Sequence, residues 1–211
     1  KHPERLGELS LKTARLLKKL HTTEFEPDTF KDARDILRSR IQAVFSAGMI
    51  TAEDKASIDG LIDRIPYRNT FVHLDFHPNN VMFSNDELVL IDVGDSGLGH
   101  PVADLLISYA QFVYLAEFAA KHGTKVHAQS IGLDCKTLGE MWNIILPEYF
   151  GTTDKDTLKR YEEVISGYAY IMILSAYCVG KVPEDKRAVL GASVMESFRK
   201  VIDTLKPIDG I

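Results

Sequence analysis

Apolar residues recur at three- and four-residue spacing along almost all of this 211-residue chain, and residues 71–95 break the pattern. That interruption limits the fold more than any other feature, because helical and strand periodicities cannot share one register. Before it, Leu6, Leu9, Thr13, Leu16, Leu17 and Leu20 mark one helical stripe. After the turn EPD, Phe30, Ala33, Leu37, Ile41, Val44 and Phe45 mark a second, which Gly48 is placed to stop. Thr51, with Asp54 three residues on, predicts a capping box for a third helix ending before Pro66. Within the interruption, Phe71-Val72, Val81-Met82-Phe83 and Leu88-Val89-Leu90-Ile91 are short β-type runs, the last two joined by SNDE, a hairpin-turn composition.

Beyond Gly99-His100-Pro101 the helical spacing returns. It predicts helices from Val102 to about Lys121 with Gly123 as a stop, over about 136–149, and from Thr153, with Asp156 three residues on, to about Val179. A last helix opens at Pro183 and carries Val189, Val194, Phe198 and Val201. The expected architecture is mainly α with a small β-hairpin insert, in one unit. Residues 1–70 form a helical segment, 71–100 a loop and hairpin rich in chemistry-bearing side chains, and 101–211 a second helical region.

A chain with 45% hydrophobic and 26% charged residues is that of an ordinary globular protein, long enough to fold without a disulfide or structural metal. The net charge of −5 argues against a nucleic-acid binder, which shows a basic patch. Cys135 and Cys178 belong to no CxxC motif and read as reduced core thiols of a cytoplasmic protein. The most apolar run, residues 164–180, carries Gly, Ser and Tyr and reads as a buried helix, so no membrane partner is expected. The opening KHPERLGELS, without an initiator Met, reads as cut from something longer.

The stretch HLDFHPNNVMFSNDELVLIDVGD (73–95) holds more polar chemistry than a surface turn needs. His73, Asp75 and His77 alternate, and on a strand they would share a face and could ligate zinc, the arrangement of a metal-dependent hydrolase. Against this, Pro78 and Asn79-Asn80 turn the second half into a loop. Moreover, His2, His21, His100, His122 and His127 show no ligand spacing. Phosphoryl transfer asks for different parts: a carboxylate to accept a hydroxyl proton, and oxygen ligands for Mg²⁺. Asp75 supplies the first. Asn80, five residues on, and Asp92, at the end of the returning strand with Gly94 two beyond, supply the second. H-x-D-x-x-x-x-N followed by D-x-G is the constellation protein kinases use.

Together, HLDFHPNNVMF, LVLIDVGDSGLGHPVADL and the upstream LLKKLHTTEF resemble the aminoglycoside phosphotransferase and choline kinase-like family. The family's HGD-x-H-x-x-N pattern falls on His73, Asp75, His77 and Asn80, with Leu74 where Gly is usual, a position expected to tolerate the change. Its I-D-x-x-D segment falls on Ile91, Asp92 and Asp95, with Val93 for the usual aromatic, and P-x-x-D-L falls on Pro101, Asp104 and Leu105.

The resemblance implies the C-terminal, catalytic lobe of the protein kinase-like fold. It also implies a small-molecule kinase that transfers the γ-phosphate of ATP or GTP to a hydroxyl of a small acceptor with Mg²⁺. Asp75 would be the base, His73 would brace the loop, Asn80 and Asp92 would hold the metal and nucleotide, and Asp95 and His77 would give supporting or substrate contacts. Asp104 reads as a helix-start residue at the positive end of a helix dipole. Tyr109, Tyr114, Trp142 and Tyr168 read as core or as acceptor-pocket lining, and Glu162-Glu163 as a solvated helix face.

Such a kinase also needs a glycine-rich nucleotide loop and a strand lysine. GDSGLG (94–99) has the wrong spacing for the loop, so an N-terminal nucleotide-binding lobe is expected to lie outside these residues. The alternative of a different class is a non-catalytic binding lobe or degenerate kinase. By itself the 211-residue chain is expected to be inactive.

Overall fold

The computed structural model describes residues 3–117, 133–178, 184–208 and 211. Helix α1 (Leu6–His21) follows a short 3₁₀ turn, and α2 (Ala33–Ser46) and α3 (Ala52–Asp63) follow it. Next come β1 (Phe71–Val72), the hairpin β2 (Val81–Ser84) and β3 (Glu87–Leu90), and β4 (Gly97–Leu98). Helices α4 (Val102–Tyr109), α5 (Cys135–Phe150), α6 (Lys155–Tyr168), α7 (Tyr170–Cys178) and α8 (Glu184–Arg199) complete the fold. It is a largely helical lobe with two small antiparallel sheets, β1–β4 and β2–β3. Among the described residues no helix is long and apolar enough to cross a membrane.

The buried face of α1 is rotated from its leucine stripe. Ser10, Thr13, Ala14, Leu17 and His21 are buried, while Leu6, Leu9, Leu16 and Leu20 are only partly covered. Polar residues can sit there because Ser10 and Thr13 donate their hydroxyls to Leu6 O and Leu9 O at 2.8 Å. In α2 the expected residues Ala33, Leu37, Ile41 and Val44 are buried, but Phe30 lies outside the helix, packed edge-on against Phe25 and Phe71. Thr51 and Asp54 close the expected capping box, and the Asp54 carboxylate also pairs with Arg199 of α8.

Three other expectations need correction. The helix expected from Thr153 is capped instead by Asp154, whose carboxylate accepts Thr157 N–H at 2.8 Å, and it breaks at Ala169 into α6 and α7. Val189 is 74% exposed, while Val194 and Phe198 of the same helix are core and Val201 follows it. Cys135 is a free thiol of intermediate exposure rather than core; the Cys178 side chain lies outside the described residues. So do Lys121, Gly123, Val179, Pro183, His2, His122 and His127.

Two packing arrangements position the central stretch. The hairpin pairs Val81 with Leu90 and Met82 with Val89, and its turn places Asn85 and Asp86 at φ of 50° and 65°, the left-handed pair that short hairpins favour. Arg5 and Lys12 of α1 lie over the Phe83 ring, 4.4 and 5.0 Å from its centroid, and Lys12 Nζ donates to Asp86 O at 2.7 Å. On the other side, β4 packs against the start of α2: a Cβ on Gly97 would come within 2.8 Å of Lys31 O, and one on Gly99 within 2.6 Å of Ala33 Cβ. Only glycine admits that approach.

Candidate functional site

β1 delivers the chain directly into His73, which is fully buried. Its Nδ1 accepts Asp75 N–H at 3.3 Å, so Nε2 carries the ring proton and donates to Ile91 O at 3.0 Å. Ile91 N–H in turn donates to Asn80 O at 2.9 Å. Both backbone groups of Ile91 are therefore fastened to the 73–80 loop, which sets the next residue, Asp92, beside it. Asn80 Nδ2 donates to both Asp75 Oδ2 and Asp75 O at 3.0 Å. His77 caps the short 3₁₀ turn Pro78–Asn80 through Nδ1, which accepts Asn79 N–H, and its Nε2 faces Asp75 Oδ2 at 3.4 Å.

Asp75, Asn80 and Asp92 are thus brought together as the spacing predicts. Burial alone would raise the Asp75 pKa; the His77 imidazole, the Asn80 amide and the Arg40 charge outweigh it and hold this carboxyl below the usual range. It is ionised at neutral pH. Asp92 adopts left-handed backbone (φ 60°), is exposed, and makes no side-chain capping bond. With Asn80 Nδ2 committed to Asp75, the Asn80 Oδ1 and the Asp92 carboxylate form a pair of hard oxygen donors. That set suits Mg²⁺, which takes one or two protein oxygens and fills its shell with phosphate and water.

A zinc cage does not fit. Both ring nitrogens of His73 are spent on the protein, and among the described residues no three His, Cys, Asp or Glu side chains gather as metal ligands.

The position expected to be permissive is a special one. Leu74 sits at φ +61° with its side chain fully buried. That backbone costs a non-glycine residue about 1–2 kcal/mol, which is why glycine suits it. Asp104 holds it in place. The Asp104 carboxylate, itself fully buried, accepts Leu74 N–H at 2.6 Å on Oδ1 and His73 N–H at 2.8 Å on Oδ2.

Asp104 Oδ2 also meets His21 Nε2 at 3.0 Å, and His21 Nδ1 meets the Tyr149 hydroxyl at 2.7 Å. Burial first, and the Asp104 charge second, push the Tyr149 phenol pKa up, so it stays protonated and donates to His21 Nδ1. His21 Nε2–H then donates to Asp104, and the chain Tyr149–His21–Asp104–loop is satisfied at every link. Asp104 does lie in the first turn of α4 as expected, but its carboxylate faces the loop; the helix-dipole reading missed that. His100, 2% exposed, is the residue that caps this helix, accepting Val102 N–H on Nδ1. Burial, with Arg68 and His21 nearby, lowers its pKa to about 4.

Asp95 is well exposed and pairs with Arg40, a residue the sequence did not single out. Of the aromatic residues, Trp142 and Tyr168 are core. Tyr109 and Tyr114 instead line a cavity of about 450 Å³ with Glu163, Ser166, Tyr170 and Lys206 among its walls. Glu162 is no solvated bystander: it accepts Trp142 Nε1–H at 2.7 Å, while Glu163 pairs with Lys206 at 2.6 Å. No residue of 73–95 lines this cavity.

A family profile described as "Phosphotransferase enzyme family" matches residues 1–131. No curated protein sequence matches. Among solved structures, the chain is similar to the streptomycin–ATP–APH(2″)-IIa ternary complex, with 20% identity and a TM-score of 0.52, covering 94% of this chain and 64% of that one. It is similar to ADP-bound aminoglycoside phosphotransferase APH(2″)-Ib, with 19% identity and a TM-score of 0.53, covering 94% and 66%. A choline/ethanolamine kinase family protein from Mesorhizobium loti shares 13% identity at a TM-score of 0.51, covering 96% and 69%. The chain thus spans a little under two thirds of the length of the first two.

Proposed function

The chain belongs to the phosphotransferase enzyme family, and from that premise we propose that it is the C-terminal, catalytic lobe of a small-molecule kinase. The reaction is transfer of the γ-phosphate of a nucleoside triphosphate to a hydroxyl of a small acceptor. The observation that carries this reading is the double fastening of Ile91, with its N–H on Asn80 O and its C=O on His73 Nε2, which gathers Asp75, Asn80 and Asp92.

Each group has a role its chemistry suits. Asp75, ionised and aligned by Asn80 and His77, accepts or orients the proton of the attacking hydroxyl. Asn80 Oδ1 and the Asp92 carboxylate are the residues that would hold Mg²⁺, which when bound neutralises charge on the transferring phosphate. His73, closed on both ring nitrogens, braces the loop rather than touching substrate. The exposed apolar side chains of Met82, Val89, Ile91 and Val93, beside Asn80 and Asp92, offer one flat face to a nucleobase. ATP is the favoured co-substrate, because the similar structures hold ATP and ADP. The acceptor class is left at small alcohols.

The test is Mg²⁺-dependent transfer from ATP to a panel of amino sugars, amino alcohols and simple sugars by the full-length protein that contains these residues. Asp75→Ala should lower kcat by at least about 10²-fold with the protein still folded. An active Asp75→Ala variant, or a wild-type protein that transfers no phosphate to any acceptor, would refute the reading.

A further inference from the structure

Arg40 belongs to α2, outside both segments that carry the proposed chemistry, yet its guanidinium touches each of them. Nη1 donates to Leu74 O at 2.7 Å, and Nη2 donates to Asp95 Oδ2 at 2.9 Å. Leu74 O is the carbonyl immediately before Asp75, in the left-handed residue of the loop. Asp95 ends the Val93–Asp95 turn that Asp92 opens. The helix behind Arg40 is firmly seated, with Leu37 and Ile41 in the core and the Gly97–Gly99 strand packed against its first turn.

The other ties between loop and turn, from His73 and Asn80, both end on Ile91. They leave the turn hinged there, with its far end fixed only where Asp95 meets Arg40. The strained loop is likewise gripped at two points: Asp104 takes the N–H of Leu74, and Arg40 its carbonyl. A planar guanidinium can serve two divergent acceptors at once, whereas an ammonium on a flexible stem meets them as a point charge.

We propose that Arg40 is a positioning residue of the phosphoryl-transfer site: by bridging the Leu74 carbonyl and the Asp95 carboxylate, it fixes the spacing between the base-bearing loop and the metal-bearing turn. The role rests on the kinase reading of residues 73–95. Its signature is a loss in kcat without a matching loss in substrate affinity, because Arg40 touches the scaffold of the reacting groups and not the ligands.

In the full-length protein, Arg40→Ala and Arg40→Gln should lower kcat about 10- to 100-fold, the range a misplacement of about 1 Å produces, with both KM values within about twofold. Arg40→Lys should recover only part of the loss, and free guanidinium at millimolar concentration should restore part of the Arg40→Ala activity. Wild-type kcat in a folded Arg40→Ala, or a loss confined to KM, would overturn the proposal.

Amide deuterium exchange gives a readout independent of turnover. Arg40→Ala should speed exchange over 74–77 and 93–96 together, while Asp95→Ala should speed only the second segment. If the wild-type protein transfers no phosphate, the kinase reading falls, and the bridge is still decided by exchange. Faster exchange in both segments supports it, and unchanged exchange in either refutes it.

Discussion

Replacing Asp104 with alanine removes one carboxylate and strands three donors. His73 N–H and Leu74 N–H lie in residues with no solvent exposure, so neither can turn to water, and His21 Nε2–H loses its acceptor in an equally buried place. A buried donor left unsatisfied costs about 1–3 kcal/mol. The loss of a charge-assisted set, partly relieved by local shifts, comes to about 3–5 kcal/mol in all. For a domain of this size that lowers Tm by roughly 10 °C.

Two measurements test the reasoning: urea unfolding of wild type, Asp104→Ala and Asp104→Asn, and deuterium exchange over 72–76. Asparagine keeps one acceptor oxygen but presents an NH₂ where the other N–H donors point, so it should rescue less than half of the loss. His21→Ala, which removes one of the three bonds, should cost less than Asp104→Ala. A folded Asp104→Ala within about 1 kcal/mol of wild type, below the smallest penalty for even one stranded donor, would refute the argument. So would unaltered exchange at Leu74.

Two further outcomes follow from the same geometry. At Leu74 the size order should invert: Leu74→Ala loses the buried side chain and keeps the left-handed strain, whereas Leu74→Gly loses one carbon more but sheds the strain. The glycine variant should therefore be the more stable of the two by about 1 kcal/mol in urea unfolding. Asp54 gives a pH signature. Burial would raise its pKa, but the Arg199 ion pair and the Thr51 bonds outweigh burial and lower it. A carboxyl depressed on folding contributes stability above its unfolded pKa of about 3.9 and loses it as the pH falls through the folded value. The stability gap between wild type and Asp54→Asn should be full at pH 6 and should narrow on acidification below about 4.

The helical lobe, the hairpin and its turn, the capping box and the cluster of Asp75, Asn80 and Asp92 could be read from the sequence because each rests on local spacing. What the sequence did not yield is mostly polar and long-range. Asp104 reaches back 30 and 31 residues to the loop, His21 meets Asp104 across 83, and Tyr149 meets His21 across 128. Periodicity ranks Asp and His as surface residues, so it cannot foresee a carboxylate with no exposure. The P-x-x-D-L match at Pro101, Asp104 and Leu105 was the one hint. Arg40 gave none, since an arginine on an amphipathic helix looks like solubilising charge. The rotation of α1 was hidden for a related reason: Ser10 and Thr13 hydrogen-bond within their own helix and can be buried at little cost, while the leucines beside them stay half-covered.

Helix α4 widens into a π turn over Ala110–Tyr114 before resuming to residue 117. In a regular α-helix residues five apart point about 140° away from each other; across a π turn they come close to one side. That is how Tyr109 and Tyr114 face the same cavity. Such a turn has the shape of a one-residue insertion absorbed without breaking the helix. Its consequence is one of reading frame in space: deleting a single residue from 110–114 would restore a regular helix, yet turn everything after it by about 100° relative to Asp104 and the loop that Asp104 holds. The same widening that opens the cavity wall sets the angular phase between the two halves of the lobe.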